Sequence, residues 1–192
     1  MFDHRITTTL LLLTTLLPAL QAQAEVTETL TMTNYRVGTV SRGELRSAMN
    51  AASPIRENGE IFHGYTKWHI NWSFRWKTSP GGACRISSVR TDLSGNITLP
   101  SLSNADTATM TQFNQYLTAL SSHEMGHFAN GKETARAIDN AIASLPEMPN
   151  CQVLEASAND LAQQLIRTGN MQDKQYDATT QHGKTQGAWL AK

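Results

Sequence analysis

The chain reads as an α+β fold in which a mostly antiparallel sheet of about four to five strands is followed by three helices. Three observations predict this. Trp68, Ile70, Trp72, Phe74 and Trp76 fall on every second residue, the period of a strand with one buried face. From Asp106 onward, apolar residues recur instead at spacings of three and four, the period of helices. The strand-like and helix-like stretches are also largely segregated, which favours α+β over alternating α/β.

Residues 1 to 24 stand apart from that pattern. His4 and Arg5 precede an apolar run, Leu10 to Leu20, which ends in Ala22-Gln23-Ala24. This is the order of a cleavable export signal, and the run is too short to cross a bilayer as a helix. We therefore expect a signal peptide over 1–24 and a single domain over 25–192, periplasmic or secreted, with no stable membrane insertion after cleavage. The chain carries 16 basic and 16 acidic residues, and the leader removes one of each, Arg5 and Asp3. A neutral chain without a basic cluster speaks against nucleic acid as a partner. The two cysteines, Cys84 and Cys151, are expected to form one disulfide in an oxidising compartment.

In chain order, Val26, Leu30, Met32 and Tyr35 predict a first strand at about 28–37. Ser41-Arg42-Gly43-Glu44 has the form of a capping box ahead of a short helix carrying Leu45, Ala48 and Met49, which stops near Ser53-Pro54. Asn58-Gly59 signals a turn, and the aromatic strand follows to Trp76, with His69, Asn71, Ser73 and Arg75 on its polar face. Pro80-Gly81-Gly82 turns the chain into two further strands, 84–91 and 96–99, joined across Ser94-Gly95-Asn96. Part of 84–99 is expected to form the sheet edge.

The first helix after the sheet is expected from Asp106, a plausible N-cap, to about Ala129, with Asn130-Gly131 as its stop. A second runs from Lys132 to Leu145 and is closed by Pro146 and Pro149. A third covers Cys151 to Arg167 and ends at Gly169-Asn170. The tail from Asp173 has no clear periodicity.

The first of these helices carries His123-Glu124-Met125-Gly126-His127, an H-E-x-x-H string. On a helix, the i, i+4 spacing stacks both imidazoles on one face, where they can share one Zn²⁺, with the carboxylate beside them as general base for metal-assisted hydrolysis. His123 and His127 are thus candidate metal ligands and Glu124 the candidate catalytic base. A catalytic zinc takes a third protein ligand, and the sequence offers Glu133, Glu155 and His182. Tyr176, if the tail folds over the metal, could hydrogen-bond the oxyanion of a tetrahedral intermediate. His63 and His69 read as structural or cleft residues.

The blocks Phe62-His63-Gly64-Tyr65-Thr66, Trp68 to Trp76, Cys84-Arg85-Ile86, Ile97 to Pro100, His123 to His127, and Tyr176-Asp177 through His182-Gly183 to Ala188 occur in order. In this the chain resembles a family of bacterial secreted proteins named as zinc-dependent proteases and long catalogued as a domain of unknown function. The likeness runs from about residue 30 to 188. It implies a small zincin-like metallopeptidase fold, a peptide or protein substrate, and a tail that belongs to the domain. On that ground His182 is preferred over Glu133 and Glu155 as third ligand. In zincin-like folds an extended substrate pairs with an edge strand beside the active-site helix. The alternatives are a zinc-stabilised binding domain without turnover and a metal-dependent cell-wall amidase.

Overall fold

The computed structural model describes residues 24 to 191; apart from Ala24, the expected signal peptide lies outside the described residues. Strand β1 is Ala24–Val40, and helix α1, Leu45–Ala52, follows it. A small hairpin comes next, β2 Ile55–Glu57 and β3 Glu60–Phe62, turned by Asn58 and Gly59, both at positive φ as the dipeptide predicts. Strands β4, Tyr65–Thr78, and β5, Cys84–Ala105, lead into two long helices, α2 Thr107–Ala143 and α3 Cys151–Thr180. A short 3₁₀ turn, Lys184–Gln186, follows.

The main sheet has three strands in the order β1-β5-β4. β4 runs antiparallel to β5 and β1 runs parallel to it, so the sheet is mixed. The expectation of four to five mostly antiparallel strands is corrected accordingly: 84–91 and 96–99 are one continuous strand. Gly95 misleads because it reads as a turn, whereas an added Cβ there would sit 2.5 Å from the Phe128 ring. The glycine lets α2 lie close against the sheet. The same continuity puts β5 in the centre, so the predicted edge at 84–99 is wrong and the sheet edges are β1 and β4.

The aromatic strand behaves as its period predicts. Ile70 is buried, Trp68, Trp72 and Phe74 are half-buried against the core, and His69, Asn71, Ser73 and Arg75 are exposed. Trp76 is the exception and is exposed, because the register shifts between Arg75 and Trp76. On β5 the buried positions change phase across the same irregularity, from Cys84 and Ile86 to Val89, Thr91, Leu93, Gly95 and Ile97.

Helix α2 begins where predicted, with the Asp106 side chain accepting from the Thr109 amide at 2.9 Å. It does not stop at Asn130-Gly131, so the two predicted helices are one. Gly131 faces Trp68, whose Cγ would lie 2.9 Å from an added Cβ. Gly169, read as the end of α3, lies against Thr134 of α2, and the helix continues eleven residues further, to Thr180. The capping box at Ser41 is not realised either; Glu44 occupies the N-cap of α1 and its side chain makes no capping bond. Ile138 and Ile142 of α2, Leu154 and Ala158 of α3 and Leu93 and Ile97 of β5 are fully buried in one core. The expected disulfide joins Cys84 to Cys151 and ties the start of β5 to the start of α3. Among the described residues, no helix is long and apolar enough to cross a membrane.

Candidate metal centre

His123, Glu124 and His127 lie mid-way along α2 and all three are buried. Their helix packs across the sheet, and α3 packs back along α2, bringing the acids of its last two turns over the histidines. The two Nε2 atoms are 3.3 Å apart. Asp177 Oδ1 lies 3.2 Å from the first and 3.1 Å from the second. Among the described residues, these three side chains form the group that could hold a metal ion.

The outward nitrogens explain why the inner ones converge. His127 Nδ1–H donates to Asp173 Oδ1 at 3.1 Å, and His123 Nδ1–H donates to Gln186 Oε1 at 2.9 Å. Each ring is thereby oriented with Nε2 towards Asp177, the arrangement by which outer partners orient metal-binding imidazoles. Asp173 is itself anchored, by Asn130 Nδ2 at 2.8 Å and by the Trp68 indole N–H at 2.8 Å. Sheet, α2 and α3 therefore meet at one carboxylate.

Burial opposes charge on His127, but its hydrogen bonds to Asp173 and Asp177 and their negative charge win, raising its pKa to about 10. For Asp177 burial likewise favours the neutral acid. The bonds from His123 and His127 and the positive charges of His127 and His182 outweigh it and hold the carboxyl well below the usual range. Imidazole and carboxylate donors together suit a first-row transition ion better than calcium or magnesium.

Glu124 is placed from the strand side. Thr66 of β4 donates to its Oε2 at 2.7 Å, and the same hydroxyl lies 3.0 Å from the Glu124 carbonyl oxygen. Gly64 leaves room for the carboxyl, since a Cβ there would sit 2.5 Å from Oε1. Burial raises the Glu124 pKa, against the lowering effects of the Thr66 bond and the neighbouring histidines. A cavity of about 230 Å³ opens here, lined by Gly64, Thr66, Glu124, both histidines and Asp177 among others.

Of the other residues singled out in the sequence, His182 stands at the cavity mouth. It is half-exposed, its Nδ1 is 3.3 Å from Asp177 Oδ1, and its ring packs on Phe62. It follows Gln181, and both have φ of 51°, where the chain leaves α3. Gly183, next in line, lies so close to His123 that a Cβ would be 2.9 Å from its Cγ. Tyr176 stacks on the His123 ring at 5.1 Å, and its hydroxyl donates to the His123 carbonyl at 3.3 Å over the space left by Gly126. It is not among the residues lining the cavity. Glu133 and Glu155 are outside the cluster. His63 is structural: its ring bonds Tyr116 at 2.7 Å and Asn50 at 2.8 Å.

Asp177 is the member of the cluster that sequence reasoning missed as a donor. Its signal was the pair Asp173 and Asp177, four residues apart and on one face if the helix continues, which Gly169-Asn170 argued against. A family model described as "Bacterial protein of unknown function (DUF922)" matches residues 32–183. No curated protein and no solved structure matches the chain.

Proposed function

The chain belongs to the bacterial family of unknown function DUF922, and from that premise and the site geometry we propose that it is an exported, zincin-like zinc metallopeptidase. One observation carries the reading. Three donors, His123 Nε2, His127 Nε2 and Asp177 Oδ1, are 3.1 to 3.3 Å apart, close to the edge of about 3.3 Å that a tetrahedron with zinc–ligand distances of about 2.0–2.1 Å requires. That spacing assigns the third ligand to Asp177 in our reading, with His182 as a rim residue. Asp173 and Gln186 orient the two imidazoles.

Bound there, zinc would supply Lewis acidity for a substrate carbonyl and make water a nucleophile near neutral pH. The chain supplies the proton chemistry. Glu124 takes a proton from the attacking water and returns it to the leaving amine, and burial, by raising its pKa, suits it to both steps. Thr66 engages Oε2, which leaves Oε1 as the working oxygen. Tyr176, bound to the helix backbone, positions His123 and is not the oxyanion donor in this scheme.

The test is metal analysis of the purified full chain together with cleavage of a broad peptide library. We expect one zinc per chain and cleavage that Glu124→Gln abolishes while zinc is retained. Stoichiometric zinc with no cleavage of any peptide would refute the peptidase reading, and wild-type turnover by Glu124→Gln would remove Glu124 from the mechanism.

A further inference from the structure

The cavity at the metal centre has a neighbour. A pocket of about 220 Å³ adjoins it, and Phe62, Leu120 and His182 line both spaces. Leu120 stands one helical turn before Glu124, and His182 Nδ1 is 3.3 Å from Asp177 Oδ1. Where the two spaces meet, single side chains therefore stand between the pocket and the candidate ligands. The other walls come from α1, which supplies Arg46 and Asn50 one turn apart, and from the tail, which supplies Lys184 and Trp189.

The two spaces differ in charge. Glu57, Glu124, Asp173 and Asp177 line the first, whereas the described lining of the second has no carboxylate and carries Arg46 and Lys184. Among the described residues, neither of these cations forms an ion pair. Both stand over the Trp189 ring instead, with Arg46 Cζ 4.8 Å and Lys184 Nζ 4.4 Å from its centroid. A ring face attracts a cation without neutralising it. The one further bond of Arg46 is a long one, 3.4 Å to the Leu190 carbonyl, which leaves a five-donor guanidinium with N–H groups to spare. Anchoring the tail does not require the ring, because Ala188 and Leu190 on either side of it are buried while Trp189 is 49% exposed. The Arg46 charge also reaches inside the pocket: it adds to burial in holding down the pKa of His63, a lining residue whose ring nitrogens are occupied by Tyr116 and Asn50. Two cations gathered on one ring repel each other, and no acid of the described lining offsets them.

We propose that this pocket holds a carboxylate of the substrate between Arg46 and Lys184, so that the peptidase of the reading above, on which this rests, cuts within two residues of an aspartate, a glutamate or a free C-terminus. Arg46 offers paired N–H groups to the carboxylate oxygens, and Lys184 a mobile point charge at the exposed side. The acids around the metal centre act in the same sense, since they repel a carboxylate from the first cavity and leave the second as its place. Adjoining cavities are bridged by one or two residues of extended chain at roughly 3.3 Å each, which sets the distance to the scissile bond. An acidic side chain and a chain terminus present the same group, and the experiment separates them.

Two libraries of ten-residue peptides randomised at every position, one with free and one with amidated C-termini, are offered to the zinc-loaded full chain, and cut sites are read by mass spectrometry. Enrichment of Asp and Glu by about fivefold or more at a position within two residues of the cut, in both libraries, would support the pocket with a side chain as the source. Cuts confined to the last two bonds of the free-acid peptides would support it with the terminus as the source. Lys184→Glu, at an exposed position, should abolish the preference for acid and bring Lys and Arg to the same position. Arg46→Gln should lower kcat/KM for the preferred acidic peptide about tenfold, with fold and zinc content checked by circular dichroism and metal analysis. A binding readout stands beside turnover: on Glu124→Gln, fluorescence anisotropy should show that peptide bound about tenfold more tightly than its counterpart with the carboxylate replaced by an amide. Cuts without any preference for a carboxylate, a preference unmoved in both variants, or equal binding of acid and amide would overturn the pocket assignment and leave the peptidase reading standing. Libraries left wholly uncut would overturn both.

Discussion

Replacing Asp177 with Ala removes one of three converging donors and leaves two imidazoles 3.3 Å apart. Zinc sites with four protein ligands hold the ion with about 10–16 kcal/mol, or about 2.5–4 kcal/mol per ligand. Loss of one should weaken binding by two orders of magnitude or more. His182→Ala removes a half-exposed ring that reaches the site only through Asp177, and should change affinity by about threefold or less, the scale of one exposed electrostatic contact. Zinc affinity would be measured by competition with a chromophoric chelator at fixed pH, and circular dichroism of the metal-free proteins would check that both variants fold. Zinc held by Asp177→Ala as tightly as by the wild type, with affinity lost in His182→Ala, would refute the assignment and restore His182 as third ligand.

Four further outcomes are expected. Asp173→Asn keeps the shape but weakens the acceptor for His127 Nδ1–H, so zinc affinity should fall about 10- to 100-fold in the same chelator titration. Gly131→Ala drives a methyl against Trp68; overpacking of about 1–3 kcal/mol should exceed the gain in helix propensity, and displacement of the indole from Asp173 should lower zinc affinity too. Reduction of the disulfide, or Cys84→Ser with Cys151→Ser, opens a loop spanning 67 positions and should cost about 4 kcal/mol in guanidinium unfolding on the chain-entropy model. Burial, with the Arg46 charge beside it, holds the His63 pKa down to about 4, against about 6.5 unfolded. The unfolded chain then binds the extra proton between pH 4 and 6.5, so stability falls as pH drops through that window, by about 1–2 kcal/mol once solvent screening is discounted; His63→Asn should flatten that part of the urea-stability profile relative to wild type.

The features legible in the sequence are those whose cause is local. The alternation of Trp68 to Phe74 fixes one face of β4, Asp106 caps α2 through its own side chain, Asn58-Gly59 supplies two positive φ angles, and His123 and His127 are one helical turn apart. The misreadings share a different cause. Gly95, Gly131 and Gly169 each look like punctuation, yet each is where a side chain of another element, Phe128, Trp68 or Thr134, needs the space of a Cβ. A glycine chosen for close approach and one chosen for a turn are the same letter, and the partner that distinguishes them lies far along the chain. The parallel pairing of β1 with β5 is hidden for the same reason, since no short-range signal records it.

These misreadings bear on the site because the close contacts build it. Gly169 lets α3 lie against Thr134 on α2, and beyond that contact the helix continues far enough to deliver Asp173 and Asp177 on successive turns. Ending α3 at Gly169 puts both acids in a loose tail, where nothing aligns them with the histidines, and Asp177 is absent from the candidates Glu133, Glu155 and His182. Gly131 works from the other side. It admits Trp68, whose indole N–H fixes Asp173, which in turn orients His127. Only part of this was open to inspection in the sequence: H-E-x-x-H supplies two rings and a carboxylate, but the convergence of Asp177 on them depends on two helix–helix and helix–sheet distances set by the absence of a methyl group. Zinc affinity in Gly131→Ala and Asp173→Asn should therefore fail to add when the two are combined, because both act through the same Asp173–His127 bond.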